Sequence, residues 1–413
     1  MRKSNPNFLL LVCICISFSY CKKEVKPLNH DGIVFYPTKF FMNSFSLSGI
    51  KFNSSTIEFA YGIKPEYFTA VGRINYNIAD QAVNITEIDY GGTDKLIRGL
   101  IPLGEDKFAA YHFDEGKYKI DSTYGNWVYY ITVLILDKNL NVLNEKKLPV
   151  GAIGFRNPFS RSPRSTNIHL KALNNGNVIM SIAEGIFWSQ NTLICFDQDL
   201  NFKWEVNVEN TTNASNDYAV KDILVKNDGI YLLQNKINLD GTYDQYRIKK
   251  YDYNGNLVYT SKNSLQGQEG VNLLQSDNGV MVVGTAFNAA TQKTTFFSEC
   301  DLNMNQLSTN FIGGVNYVKF YPVKYNSAVV SSNVLQCNNA YYFMTLEYQL
   351  VKLNKSFEIE WVKTIDKFSV SNNTNDRYLV NVGDNIVCIG QNNWNGADGI
   401  TFLKMDFEGN IVR

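Results

Sequence analysis

The chain has 413 residues, 45% of them hydrophobic and 14% aromatic, which is enough for one large domain or two ordinary domains with a substantial core. Its 39 Lys and Arg residues equal its 39 Asp and Glu residues, and the sequence contains no Lys-rich or Arg-rich arm. Composition therefore indicates a globular protein and argues against nucleic acid as a partner.

Residues 1–20 have the pattern of a secretory signal peptide. A basic pair precedes an apolar run from Phe8 to Phe18 that is too short to span a bilayer as a mature helix. Cys21 follows at once and resembles the lipidated first residue of a bacterial lipoprotein, although Tyr20 stands where that family's cleavage box normally has a small residue. The alternative is an ordinary signal peptide followed by an incidental cysteine.

The segment after Cys21 resembles the charged, flexible tether of surface-exported lipoproteins in some Gram-negative bacteria. Residues 22–24 are charged, and Pro, Asn and Gly follow. The resemblance implies an exported protein that a lipid anchor holds in the bacterial outer membrane or at the cell surface, as a monomer unless it joins a complex. Residues 21–45 are thus assigned to the lipidated cysteine, the tether and a possible ring-closing strand.

A short motif recurs along the chain at intervals near fifty residues. It reads DYNGNLVY at Asp252 and DFEGNIVR at Asp406. Further copies begin at Asp137, Asp197, Asp301 and Asn354, with a weak candidate at Asp89. From Asp137 onward the spacings are 60, 55, 49, 53 and 52 residues. This period, without amphipathic helices, matches the four-stranded blade of a β-propeller and fits poorly with helical solenoids or leucine-rich repeats.

Each repeat also has an Asn-, Asp- or Gly-rich turn upstream of this motif, followed by an apolar run that is typical of a buried strand. Examples are LNNGNVIMSI from Leu173 and SDNGVMVVG from Ser276. Each repeat is therefore predicted to contain two hairpins, with strands A to D running from the centre outward. The recurring motif is then the C–D hairpin.

In this hairpin the Asp is expected to bind backbone amides two residues further on, and Gly255 or Gly409 to adopt the left-handed conformation. Four copies have a large apolar residue in the glycine position. They are the copies with Leu140, Leu200, Met304 and Phe357. For these we expect the Asn or Asp one residue earlier to be left-handed instead.

The ending D-x-x-G-N-x-x-W/Y resembles the quinoprotein-like (PQQ-type) propeller repeat over most of residues 46–413. The resemblance implies an all-β propeller of four-stranded antiparallel blades and no particular activity. At about 52 residues per repeat, this length corresponds to about seven blades, with six or eight still open. The chain ends soon after Asp406, so residues 31–45 are candidates for an outer strand that closes the last blade.

Four cysteines lie beyond Cys21, each within an apolar run. They are Cys195, Cys300, Cys337 and Cys388. An exported protein could pair them as disulfides. Cys195 and Cys300 occupy equivalent positions two repeats apart, where their side chains are not expected to meet, so buried free thiols are favoured.

Alternating Asp and Asn residues in the C–D turns resemble the first half of a calcium loop. The best set on charge is Asp197, Asp199 and Asn201. The distal bidentate Glu and the fixed Gly of such loops are missing, and Asn- and Asp-rich turns form without metal. No cofactor is predicted beyond this weak calcium candidate.

No catalytic motif is recognisable. His30, His112 and His169 have no motif around them, and the chain contains no HExxH, GxSxG, P-loop or CxxC pattern. Two classes of enzyme stay open, namely a glycan-active hydrolase or lyase and a quinone-dependent dehydrogenase. A binding function is favoured over both.

The B–C turns and D–A crossings of a propeller meet at one rim, which we call the long-loop rim because these connections are longer and more varied here. The A–B and C–D turns form the opposite, short-turn rim. Long, varied loops commonly carry function, and this rim contains arginines suited to anionic groups and aromatic residues suited to sugars or peptides. The candidates are Arg156, Arg161, Arg164, Trp127, Trp188, Tyr243 and Trp394.

The same side chains could instead pair with neighbouring blades or pack the blade ends. On balance the sequence predicts a non-catalytic binding or scaffold propeller of the cell envelope, with a glycan or an envelope protein as its partner. A structural subunit of an envelope complex, which would use the flat sides of the blades, is a further alternative.

Overall fold

The computed structural model describes most of the chain from residue 28 onward. The described residues are 28–30, 33–37, 46–52, 56–63, 70–77, 83–89, 97–104, 106–113, 119–121, 126–151, 168–184, 190–210, 218–237, 243–287, 293–312, 334–344, 349–365, 377–394 and 397–412. All regular secondary structure among these residues is β-strand. None of them therefore belongs to a helix that is long and apolar enough to cross a membrane.

The strands form seven antiparallel sheets, in each of which neighbouring strands follow chain order with the exceptions given below. Sheet 1 contains β3 (Ser46–Phe52), β4 (Thr56–Ile63), β5 (Ala70–Asn77) and β6 (Val83–Asp89). Sheet 2 contains β7 (Ile97–Leu103), β8 (Lys107–Phe113), β10 (Asn126–Asp137) and β11 (Val142–Gly151), and the short β9 (Lys119–Asp121) pairs with β10. Sheet 3 contains β12 (Ile168–Ala172), β13 (Val178–Glu184), β14 (Gln190–Phe196) and β15 (Phe202–Asn210).

The next three sheets repeat this plan. Sheet 4 contains β16 (Tyr218–Lys226), β17 (Gly229–Ile237), β18 (Tyr243–Tyr251) and β19 (Leu257–Thr260). Sheet 5 contains β20 (Gln268–Gln275), β21 (Gly279–Phe287), β22 (Lys293–Asp301) and β23 (Gln306–Ile312). Sheet 6 contains β24 (Leu335–Cys337), β25 (Ala340–Met344), β26 (Gln349–Asn354) and β27 (Ile359–Thr364).

Sheet 7 joins the two ends of the chain. It contains β28 (Arg377–Val382), β29 (Asn385–Trp394) and β30 (Ala397–Asp406), followed by β2 (Ile33–Pro37) and β1 (Leu28–His30). β2 runs antiparallel to β30, with Ile33 opposite Leu403. The sequence analysis placed a candidate closing strand in residues 31–45, and β2 lies at that position. Such pairing covers the outer edge of β30.

The first strands of five pairs of successive sheets are neighbours. Contacts join β3 to β7, β7 to β12, β12 to β16, β16 to β20 and β24 to β28. The sheets therefore radiate from their first strands, and the predicted all-β propeller of about seven four-stranded blades is confirmed. Sheets 1 to 7 are called blades 1 to 7 below.

Hydrophobic core fills the junctions between blades. Val133 of blade 2 packs in one cluster with Met180 of blade 3, and Phe297 of blade 5 lies 6.1 Å, between ring centroids, from Phe343 of blade 6. Both faces of a blade in the middle of the chain are thus buried, which explains why its inner strands read as nearly continuous apolar runs. Burial of these faces is the main favourable contribution to the fold.

The four described cysteines are free thiols, as predicted. Cys195, Cys300 and Cys388 are buried in three different clusters, so their sulfur atoms are separated by whole blades. Cys337 is half-buried.

The recurring motif forms a hydrogen-bonded C–D turn. At Asp252, Oδ1 accepts the backbone N–H groups of Asn254 at 2.9 Å and Asn256 at 2.8 Å, and Oδ2 accepts the Asn256 side-chain amide at 2.8 Å. The copies at Asp137, Asp197, Asp301 and Asp406 have the same bonds.

In the copy at Asn354 the amide and carboxylate groups exchange places. Asn354 donates its side-chain amide to the Glu358 carboxylate at 2.8 Å and accepts the Glu358 backbone N–H at 2.9 Å. The same turn can therefore be held with either order of the two groups.

One expectation for these turns is wrong. The large apolar residue in the glycine position is itself left-handed, at φ of +65° in Leu140, +61° in Leu200, +61° in Met304 and +63° in Phe357. This conformation costs about 1–2 kcal/mol for a residue with a Cβ. Leu140, Leu200 and Met304 are nonetheless only 1–3% exposed, and burial of such a side chain offsets that cost.

Candidate functional site

The predicted ligand-binding residues are only partly described. Cys21, Arg156, Arg161, Arg164 and Trp188 lie outside the described residues. Trp127, Tyr243 and Trp394 are described in their backbone. Trp127 lies opposite Ile120 near the start of β10, Tyr243 begins β18, and Trp394 ends β29 opposite Ala397. These three residues therefore stand where a B strand or a C strand meets its B–C connection.

Strand direction brings the flanking strand ends to one rim. In an antiparallel blade the second strand ends and the third begins at the same rim where the fourth strand ends. The arginines fall between the end of β11 at Gly151 and the start of β12 at Ile168, and Trp188 falls between β13 and β14. All seven candidates are thus flanked by strand ends of the long-loop rim.

The described base of this rim in blade 4 contains a fixed guanidinium group. Arg247 lies over the ring of Tyr218, at 3.5 Å from the ring centroid, and donates through Nε to Gln234 Oε1 at 3.1 Å. Gln234 is 0% exposed, and its Nε2 has no hydrogen-bond partner among the described residues. A planar, stacked Arg is an oriented donor, which suits recognition of oxygen-rich groups.

Buried amide groups connect adjacent blades just below the rim. Asn191 of blade 3 donates to the Tyr218 carbonyl at 2.5 Å. Asn235 of blade 4 binds Gly270 of blade 5 twice, through its Nδ2 to the carbonyl at 2.7 Å and through its Oδ1 from the N–H at 3.0 Å. Because these bonds are buried, they hold the strand ends of three blades in fixed positions.

The inner strands of blades 3 to 5 carry charges that are paired. Lys171 lies 3.9 Å from Asp222, and Lys221 lies 4.0 Å from Glu269. Burial lowers the pKa of His169 to about 4 and outweighs the opposing effect of Asp222. His169 is therefore neutral at pH 7, and its Nε2 lies 3.2 Å from the Val220 carbonyl, to which the neutral ring donates.

The calcium candidate is engaged in its own turn. Asp197 Oδ1 accepts the N–H groups of Asp199 at 3.0 Å and Asn201 at 2.9 Å, and Oδ2 accepts Asn201 Nδ2 at 3.1 Å and Lys203 Nζ at 3.2 Å. Burial alone would raise the pKa of Asp197, but the hydrogen bonds from Asn201 and Lys203 lower it to about 2. Within the described part of the chain, no group of three or more His, Cys, Asp and Glu side chains could hold a metal ion.

The structure also contains a pocket that the sequence analysis did not predict. A pocket of about 390 Å³ opens on the short-turn rim between blades 5 and 6. Its lining residues are Gln275, Ser276, Asp277, Gln336, Asn339, Ala340, Tyr341 and Lys355. The one signal in the sequence is Lys355, which occupies a turn position where two other copies have the aromatic residues Tyr253 and Phe407.

Comparison with known proteins assigns no function to this chain. No family model matches this chain, and no curated protein sequence matches it. Similar solved structures include the Dos1 propeller (12% identity, 92% of this chain and 84% of that chain, TM-score 0.48) and the polysaccharide lyase Uly1 (8%, 86% and 89%, 0.49). The β-propeller domain of the Trilobed protease from Pyrococcus furiosus is also similar (12%, 89% and 96%, 0.42).

Proposed function

We propose that this propeller is a non-catalytic binding or scaffold protein of the bacterial cell envelope, with a glycan or an envelope protein as its partner at the long-loop rim. One observation carries the proposal: the strand ends that flank the three candidate arginines and four candidate aromatic residues lie at one rim. Strand ends that are far apart in sequence therefore lie on a common side of the molecule. Aromatic rings and guanidinium groups are the side chains expected to contribute most to such a binding surface.

The ordered strand ends beneath the long-loop rim support a binding function. Binding through loops costs less conformational entropy when the scaffold beneath the loops is already ordered. The buried bonds from Asn235 to Gly270 and from Asn191 to Tyr218 fix the strand ends of blades 3 to 5. Loops of varied sequence on such a base can differ in specificity without a cost to the fold.

The charges of the described inner strands support binding over catalysis. Lys171 and Asp222 are paired, and so are Lys221 and Glu269, while His169 is a neutral donor to a carbonyl. General acid–base or nucleophilic catalysis needs a base held next to a nucleophile or a reacting proton. The charged residues instead pair with one another, and His169 donates to a backbone carbonyl.

The proposed rim site is tested by applying the purified full chain to a broad glycan array. Trp394→Ala and the triple variant Arg156→Ala/Arg161→Ala/Arg164→Ala are applied alongside. Phe202→Ala is the matched control, because Phe202 is an aromatic residue on an outer strand that is 54% exposed. We expect binding that both rim variants reduce and the control retains.

A folded chain that binds no glycan, and that captures no protein from detergent-solubilised envelopes through the same residues, would contradict the rim site. Cleavage of a bound glycan into new products would show that the rim is catalytic. Either outcome removes the proposal as stated.

The lipid anchor is part of the proposal and has its own test. A thioether-linked lipid on Cys21 requires its thiol, so Cys21→Ala is expected to abolish incorporation of a labelled fatty acid and to release the chain from membranes. Cys337→Ala, which removes a half-buried thiol far from Cys21 in the sequence, is the control. Unchanged fractionation and labelling of Cys21→Ala would disprove the anchor.

A further inference from the structure

The pocket on the short-turn rim lies between the A–B turn of blade 5 and the A–B and C–D turns of blade 6. Ser276 and Asp277 come from the first, Asn339 from the second and Lys355 from the third. Lys355 Nζ lies 3.5 Å from the Asp277 carboxylate, so an ion pair spans the two blades. This rim is opposite the proposed long-loop site.

The residue at this turn position differs from blade to blade, and it is aromatic at two of the junctions. At the junction of blades 3 and 4 the equivalent turn residue is Tyr253, whose hydroxyl donates to the Lys226 carbonyl and accepts the Asn174 amide at 3.4 Å. At the junction of blades 6 and 7 it is Phe407, whose ring lies 6.2 Å from that of Tyr342. An aromatic ring therefore occupies both of those junctions, whereas Lys355 lines the pocket at the junction of blades 5 and 6.

The pocket lining is polar and carries no net charge. Gln275, Gln336 and Asn339 are exposed, and each has a side-chain amide that both donates and accepts hydrogen bonds. The single cation, Lys355, is balanced by the single anion, Asp277. Such a lining matches a neutral ligand with many hydroxyl or amide groups.

The floor of the pocket is rigid. Tyr341 is 7% exposed, and its ring is stacked on Phe357 at 5.4 Å between centroids with an interplanar angle of 9°. The volume of about 390 Å³ lies at the lower end of the roughly 300–1,000 Å³ range of small-molecule sites. A ligand of one or two sugar rings fits this size.

We propose that the pocket between blades 5 and 6 binds a neutral mono- or disaccharide. The amides and the Lys355–Asp277 pair would bind hydroxyl groups, with Lys355 donating and Asp277 accepting. The site is separate from the long-loop rim and does not depend on it.

The decisive variant is Lys355→Tyr, which places in this turn the residue that blade 4 has at the same position and so fills the pocket with a side chain that the fold already accepts. Gln336→Ala removes one lining amide at an exposed position. Lys138→Tyr is the matched control, because Lys138 occupies the same turn position in blade 2. Trp394→Ala reports on the other rim.

The experiment is saturation-transfer NMR of the purified full chain with maltose, cellobiose and N,N′-diacetylchitobiose. We expect saturable binding of at least one of them, weakened at least about tenfold by Lys355→Tyr, weakened by Gln336→Ala and unchanged in Lys138→Tyr, while Trp394→Ala reports separately on any sugar bound at the long-loop rim. Circular dichroism checks that each variant is folded.

Two results would overturn the inference. One is the absence of binding of all three sugars by the folded wild type. The other is equal binding by wild type and Lys355→Tyr. If Trp394→Ala abolishes that binding, the sugar is bound at the long-loop rim. That result would support the proposed function and contradict the pocket site.

Discussion

A Cβ atom on Gly255 would lie 2.7 Å from Cε3 of Trp204, so the indole ring of blade 3 occupies the space beside the C–D turn of blade 4. The Trp204 indole also donates to the Tyr253 carbonyl at 2.9 Å. Gly409 and Trp361 repeat this relationship between blades 6 and 7, at 2.9 Å from Cη2. Glycine in the turn is therefore matched to tryptophan on the preceding blade.

At two other junctions the large side chain belongs to the turn and the smaller one to the preceding blade. Where the preceding blade has Asn144 or Ser308 at the position of Trp204, the turn has the buried or half-buried Leu200 or Phe357. Asn144 still donates across the junction, to the Asp199 carbonyl at 2.5 Å. Each of these four junctions thus contains one large side chain, supplied from either side, whereas the junction of blades 4 and 5 has a large residue on both sides, Tyr259 and Met304.

This matching predicts a coupled pair of substitutions. Gly255→Leu alone should destabilise the protein by about 3 kcal/mol, because the new side chain meets Trp204 and the residue is held at φ +84°. Adding Trp204→Asn recreates the Asn144 and Leu200 pair and should recover at least about 1 kcal/mol. Urea unfolding of both single variants and the double variant measures the coupling, and strictly additive effects would contradict it.

This matching also explains what sequence could predict. The fifty-residue period and the Asp at the turn follow local rules, so the blade architecture and the turn position were predictable. The left-handed Leu200 was not, because its conformation is decided by burial against blade 2 and not by its neighbours in sequence. The pocket was not predictable for a similar reason, since its lining combines side chains from the turns of two different blades.

Stability is predicted to depend on pH through the C–D turns. The folded pKa of Asp197 is about 2, below its ordinary value of 3.8, so its ionised form stabilises the fold above about pH 4 and that contribution is lost as pH falls towards 2. Asp197→Asn should therefore unfold at lower urea than wild type at pH 7, and the difference should shrink steadily as pH falls to about 2.

The control for that prediction comes from the Asn354 turn, where amide and carboxylate have exchanged places. The double variant Asp197→Asn/Asn201→Glu recreates this order and should recover part of the stability lost in Asp197→Asn at pH 7. A pH-independent difference between wild type and Asp197→Asn would show that the carboxylate charge has no part in holding the turn.

The outer edge of β18 is predicted to depend on two serine hydroxyls. β19 is short, and beyond it Ser261 Oγ accepts the Ile248 N–H and Ser264 Oγ accepts the Tyr246 N–H, each at 2.8 Å. Ser264 is 7% exposed, so Ser264→Ala would leave a buried N–H without its partner and should cost about 1–3 kcal/mol. Ser356→Ala, at an exposed turn position, should change stability by less than about 0.5 kcal/mol. Equal effects of the two variants in urea unfolding would contradict this role.

The thiols beyond Cys21 are predicted to be inert in the folded protein. Burial raises the pKa of Cys195 and Cys337 to about 11 and that of Cys300 to about 12, so almost no reactive thiolate is present at pH 8. Iodoacetamide should leave Cys195, Cys300 and Cys388 unmodified in native protein, modify Cys337 slowly, and modify all four in guanidinium chloride, as read by peptide mass spectrometry. Because Cys195, Cys300 and Cys388 belong to three different inter-blade clusters, a disulfide between any two of them would require the propeller to open. Detection of such a disulfide-linked peptide in native protein would contradict the packing of these clusters.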